Sequence, residues 1–249
     1  MTTTSLDILV LSDLHYIGVA DRVCPIPQRK CHLGPALIRA AFRQCRQEGI
    51  EPELLILLGD LVDDGLAEGA EADQAAVAEA ARETGLPILA VPGNHDGDVN
   101  EFVRLYGCSP GLHEIGGYGF LVFHDHVAPD DVTTRPPQGL ALPGPIARRR
   151  PDLPLVALQH NPLHPHIEDD YPYMLTNAQE ILRGYKEAGV VLSLGGHYHH
   201  GQPAHPVGGV ICYTLPAACE APYRYAYVRL RGREVEVWER LLREIDKEL

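Results

Sequence analysis

The sequence predicts an α/β fold in which buried strands alternate with helices. Three observations point there. Short apolar runs recur with turn residues behind them, helix-spaced apolar residues lie between them, and polar side chains gather just past the runs.

Ile8 to Leu11 is the first strand, far too short for a signal core or a membrane span. With no basic residue from Met1 to Asp7, the chain reads as soluble and cytoplasmic. Leu33, Leu37, Ile38, Ala41, Phe42 and Cys45 then fall at helix spacing, and Gly49 supplies a C-terminal stop. Leu54 to Leu58 is the second strand, and the Ala-rich stretch Glu68 to Glu83, ending at Gly85, is the second helix. Ile88 to Val91, Phe120 to Phe123, Leu155 to Leu158 and Val190 to Leu194 continue the strands. Thr176-Asn177-Ala178-Gln179 has the form of a capping box opening a helix to about Ala188. From Gly208 onward Val210 to Leu215, Arg224 to Leu230 and Glu234 to Trp238 follow without intervening helix and read as antiparallel strands. Tyr16 to Pro35 and Ala128 to Pro154, rich in Pro, Asp, Gly and Arg, read as long loops. Nothing in the sequence divides the chain, so residues 1–249 are expected to form a single domain.

A formal net charge of −13 argues against extended nucleic acid or an anionic membrane as partner. Oligomeric state is not legible. The six cysteines are scattered through a chain large enough to need no stapling, so reduced thiols are expected. The 13 histidines carry more information, since imidazole is the commonest metal ligand.

Potential ligands follow the strands one after another: Asp13 and His15, Asp60 and Asp63, Asn94, His95 and Asp96, His160, then His197 and His199. In α/β sheets, sites form beyond the carboxyl ends of strands, so these separate loops should converge. A single Asp-x-His or Gly-Asp behind a strand is ordinarily a turn; the ordered series is what points to a site. Asp, Asn and His donors without thiolates suit Mn, Fe or Zn better than Ca or Mg.

The series resembles the calcineurin-like metallophosphoesterases in Asp13-Leu14-His15, Gly59-Asp60-Leu61-Val62-Asp63, Gly93-Asn94-His95-Asp96, His160 and Gly196-His197-Tyr198-His199. The resemblance implies a four-layer αββα sandwich, two mixed β-sheets flanked by helices, with the site on loops at strand C-terminal ends. It implies two metal ions, Mn, Fe or Zn, with Asp13, His15 and His199 on the first, Asp60 bridging, and Asn94, His160 and His197 on the second. It makes His95 the catalytic residue near the leaving group, with the Asp63 carboxylate orienting its imidazole; Asp96 is expected to support the loop.

The chemistry implied is attack of a metal-bound hydroxide on a small phosphate ester, because metal lowers the pKa of water to about 7. Asp64 and Pro92 stand where protein Ser/Thr phosphatases of the superfamily carry arginines. The motifs look more like the small bacterial phosphodiesterase branch, which makes a phosphodiester the expected substrate. A phosphomonoesterase or nucleotide pyrophosphatase is the alternative, and a noncatalytic metal-binding scaffold a remote one.

Of the remaining polar residues, Arg22, Arg29 and Lys30 sit in the loop after Asp-x-His, within reach of a substrate or simply solvated. Arg148 to Arg150 reads as a solvated or paired run. Cys24-x6-Cys31-His32 lacks a usual zinc spacing, so no third metal is expected there. His124, His126, His164, His166 and His200 read as surface, hydrogen-bonding or pocket-rim residues.

Overall fold

The computed structural model describes residues 5–19, 22–128, 132–163 and 174–245. His164 and His166 lie outside the described residues.

β1 (Ser5–Leu11) leads through a loop and a 3-10 turn (Cys31–Leu33) into α1 (Gly34–Gln47), with Pro35 in the first helical turn, where its missing N–H has no helical partner to lose. β2 (Leu54–Leu57), α2 (Ala70–Glu83) and β3 (Ile88–Ala90) follow. α3 (Val99–Tyr106) is capped by the Asp98 carboxylate, which accepts from the backbone N–H groups of Asn100 and Glu101. A hairpin of β4 (Gly111–Ile115) and β5 (Tyr118–Val122) comes next, then β6 (His126–Val127), β7 (Thr133–Thr134), α4 (Pro137–Ala141) and α5 (Pro143–Arg149). β8 (Leu155–Leu158), α6 (Ala178–Ala188), β9 (Val190–Gly195), β10 (Gln202–Val207), β11 (Val210–Thr214), β12 (Arg224–Arg231) and β13 (Glu234–Leu241) complete the described chain.

Two large mixed sheets form. One has the order β13-β12-β1-β2-β3, the other β10-β11-β9-β8-β5-β4. Their parallel central strands, Leu54–Leu57 and Leu155–Leu158, are buried at every residue, as expected of strands covered on both faces. The period of two sorts the second sheet between two cores. Tyr118, Phe120, Val122, Val156 and Leu158 join the cluster shared with the first sheet, α1 and α2, whereas Leu121, Leu155 and Ala157 pack with Ile146 of α5 and Ile181 and Tyr185 of α6. The result is the expected four-layer αββα sandwich.

Three local expectations fail, wholly or in part. Ala128 to Pro154 is not one open loop, because Pro137 and Pro143 stand in the first turns of α4 and α5, where proline is tolerated. The C-terminal antiparallel reading holds in part: β11 is antiparallel to β10 but parallel to β9, and β12 is antiparallel to both β1 and β13. The capping box at α6 does not form: the Thr176 hydroxyl pairs with that of Thr134 at 2.6 Å, and Asn177 bonds both the N–H and the carbonyl of Arg135.

Arg135 is a buried charge, 1% exposed. Its guanidinium makes a double ion pair with Asp125 at 2.7 and 2.8 Å, donates to the Tyr185 hydroxyl, and lies 3.6 Å over the Phe123 ring centroid. It ties the segment behind β5 to α6. Arg135→Met should therefore destabilise the fold by about 3–5 kcal/mol, since it strands the buried Asp125 carboxylate. Urea unfolding measures this, and adding Asp125→Asn should restore part of the loss; equal stability of Arg135→Met and the parent would refute it.

Candidate metal centre

Strand ends carry the site. Asp13 and His15 follow β1, Asp60 follows β2, Asn94 and His95 follow β3, His160 follows β8, and His197 and His199 follow β9. The first three loops belong to one sheet and the last two to the other, so the residues meet where the sheets abut.

The geometry is that of two clusters joined at Asp60. Asp13, His15 and His199 bring one ligand atom each within 4.8 Å of one another, as do Asp60, His160 and His197. Asp60 Oδ2 lies 3.6 Å from His15 Nε2 and 3.3 Å from His160 Nε2, between the two. His15 Nε2 and His199 Nε2 are 3.2 Å apart, and so are His160 Nε2 and His197 Nδ1. His95 borders both: its N–H donates to Asp60 Oδ1 at 3.0 Å, and its ring packs edge-on against His15 at 4.7 Å.

Backbone strain is concentrated at these positions. The described non-glycine residues with positive φ are Asp13 (55°), His15 (43°), Asp60 (51°), His197 (65°) and Tyr223 (56°), all but the last in the series of candidate ligands. Left-handed backbone is unfavourable for L-residues and persists only where surrounding contacts impose it, which is common at functional sites. Glycine makes the approach of the loops feasible: a Cβ on Gly196 would collide with Ser12 and Asp13, and one on Gly93 with Asp60.

The chain matches the model of the family described as calcineurin-like phosphoesterase over residues 6–201. The chain belongs to that family. No curated protein matches its sequence. Among solved structures, a dimetal phosphatase from Danio rerio superposes with a TM-score of 0.73 at 15% identity, covering 96% of this chain and 99% of that one. TT1561 of Thermus thermophilus gives 0.63 at 19% identity, with 94% and 99% covered. A purple acid phosphatase from yellow lupin (Lupinus luteus) seeds gives 0.63 at 11% identity, covering 98% of this chain and 53% of that one. This calcineurin-like phosphoesterase is a metal-dependent phosphoester hydrolase. Among its described residues no helix is long and apolar enough to cross a membrane.

The residues present fit the two divalent metals of the family. Asn94 Oδ1 is buried with no hydrogen-bond partner among the described residues, a costly state for an oxygen that nothing else satisfies. The donors are carboxylate, amide and imidazole, the set that borderline divalent ions accept. The electrostatics agree. Burial opposes charge on Asp60, yet His160 and His15 outweigh it and hold the carboxyl well below its ordinary range. Burial likewise opposes a charged His160, but the Asp60 carboxylate raises its imidazole to about 10. Burial, then the His160 charge, depresses His197 to about 4, while Asp13, against its burial, is brought down to about 2 by a hydrogen bond from His199. The pocket therefore favours positive charge beside Asp13 and Asp60, where a divalent cation would replace the proton on His160.

Asp63 corrects an expectation. Its carboxylate does not meet His95; Oδ1 lies 3.5 Å from His15 Nδ1 and 3.4 Å from Arg29 Nη1, and the His15 hydrogen bond, against burial, lowers the carboxyl pKa to about 2. The contact with His95 is made by the Asp63 main-chain carbonyl, 2.5 Å from Nδ1. The physical reason is the turn after β2, in which the Asp63 N–H donates to the Tyr16 carbonyl and turns its side chain toward the loop after β1. Glu220, which motif reading missed, performs the same service for His199, its carboxylate 2.6 Å from Nδ1. No spacing could have found it, because Glu220 lies behind β11, outside the motifs. Asp96 clasps two loops, accepting from the N–H groups of Leu61, Val62 and Gly93 at 2.7, 3.2 and 2.8 Å. Burial and repulsion from Asp60 raise its carboxyl to about 6.

Proposed function

We propose that the protein hydrolyses a small phosphodiester. In this reading Asp13, His15 and His199 would hold one metal and Asn94, His160 and His197 the other, with Asp60 available to both, so that one catalytic domain would draw its ligands from both sheets. Two such ions supply an activated water and neutralise charge on the phosphoryl oxygens. The protein's own part is orientation: Asp63 fixes His15, Glu220 fixes His199, and the Leu58 carbonyl, 2.6 Å from His160 Nδ1, fixes His160. In the same reading His95, outside both ligand sets, hands a proton to the leaving oxygen.

The observation that carries the diester reading is the wall of the adjoining cleft. A cavity of about 440 Å³ opens over Asn94, His95 and His160 and is bounded by Leu66, Val99 and His126. Among the described residues its lining includes no lysine or arginine, only Asp64 and Asp125 as formal charges. A diester monoanion with an uncharged second arm suits such walls. A second phosphate, as in a nucleotide pyrophosphate, would meet no countercharge beyond the metals.

Chelated protein reloaded with Mn, Fe or Zn should turn over bis(p-nitrophenyl) phosphate faster than p-nitrophenyl phosphate, and chelation should abolish both activities. Preference for the monoester, or for a dinucleotide pyrophosphate over the diester, would overturn the substrate reading. Two bound metals without turnover of any ester would overturn the catalytic one.

A further inference from the structure

A separate group of donors lies on the far side of His15 from Asp60. Cys24 and Cys31, both on the loop between β1 and α1, turn their sulfurs toward Asp63. Cys24 Sγ is 3.5 Å and Cys31 Sγ 3.8 Å from Asp63 Oδ1, and the three atoms all lie within 4.8 Å of one another. With metal–sulfur and metal–oxygen bonds of about 2.3 and 2.0 Å, sulfur and oxygen ligands on a tetrahedral zinc ion sit about 3.5 Å apart. The two S···O separations fall close to that edge length. We propose that Cys24, Cys31 and Asp63 form a third, thiolate-bearing metal site for a thiophilic divalent cation of the zinc class.

Charge balance supports the assignment. Two thiolates and one carboxylate bring three negative charges, and a divalent ion brings two positive ones. The remaining charge is supplied by Arg29, whose Nη1 is 3.4 Å from Asp63 Oδ1 with both side chains 13% exposed. The cluster closes with no net charge left in a largely buried position. Burial and the adjacent Cys24 push the Cys31 thiol above its ordinary range, so its sulfur carries a proton without metal. On binding, each S–H proton leaves to solvent as its sulfur bonds the ion. A cleft of about 630 Å³, lined in part by Cys24, Cys31 and Arg29, adjoins the group and has room for a water molecule as a fourth ligand.

The donor chemistry separates this site from the main centre, which is built without sulfur. Mn prefers oxygen and nitrogen donors, whereas Zn and Co accept thiolate, so the two sites should fill selectively. The Cys24-x6-Cys31 spacing alone argues against a metal here, because the third donor comes from the loop after β2, 32 residues beyond Cys31. Its role follows from Asp63, which also faces His15 Nδ1 at 3.5 Å. An ion here pins the loop after β1 against the residue that orients His15.

Cobalt titration of the full-length, metal-stripped chain under a non-thiol reductant tests the proposal. Three equivalents should bind, with thiolate-to-cobalt charge-transfer absorption accompanying one of them. Cys24→Ser, at a half-buried loop position, should bring that absorption to background and reduce the stoichiometry to two, while Mn-supported hydrolysis persists. Cys31→Ser should do the same. Binding of cobalt without the charge-transfer band, or a band that survives Cys24→Ser, would overturn the third site and leave the main centre untouched.

Discussion

Asp60→Ala is expected to empty the metal centre and remove hydrolysis with it. Asp60 Oδ2 sits 3.6 Å from His15 Nε2 and 3.3 Å from His160 Nε2, so it is the atom common to both clusters. Its loss also frees His160, whose raised pKa exists because of that carboxylate. Two ions held close together without a bridging anion repel each other strongly in a site of low dielectric. Metal analysis after dialysis should show fewer than one equivalent at the main centre, and diester turnover should fall to background. The fold should survive, since Asp60 contributes no apolar packing, and thermal unfolding monitored in parallel checks that. Full metal content in Asp60→Ala would exclude a bridging role.

Much of this site was legible because its chemistry is local in sequence. Asp13-x-His15, Gly59-Asp60, Gly93-Asn94-His95 and Gly196-His197-x-His199 each occupy one tight turn, and each turn needs a glycine or a strained residue at a fixed offset. The strands feeding those turns were legible for the same reason: Leu54–Leu57 and Leu155–Leu158 are continuous apolar runs buried on both faces. What escaped depends on tertiary placement. β10 (Gln202–Val207) is an exposed edge strand with two prolines and no apolar alternation, so neither period nor propensity marks it. α3 spans eight residues, too short for helix periodicity to stand out. Glu220 and the Cys24–Cys31–Asp63 group owe their partners to elements far apart in the chain, and the direction of the Asp63 side chain is decided by a hydrogen bond to Tyr16 that no spacing encodes.

His95→Ala should keep both main-centre metals and lose about 10²–10⁴-fold in turnover, the usual scale for a general acid. The tautomer makes the role specific. Nδ1 lies 2.5 Å from the Asp63 carbonyl, an acceptor only, so Nδ1 carries a proton and donates it there. Nε2 is then protonated only when the ring is cationic, and only the cationic ring can give a proton to a departing oxygen. The loss should also depend on the leaving group. An alkyl phosphodiester, whose alkoxide leaves poorly, should suffer far more than bis(p-nitrophenyl) phosphate, whose phenolate needs little help. His95 also groups with His15 and Asp60 within 4.8 Å, a position from which it could itself bind metal. The two roles separate cleanly: equal losses for both leaving groups with one metal missing would make His95 a ligand, whereas unequal losses with both metals retained make it the acid.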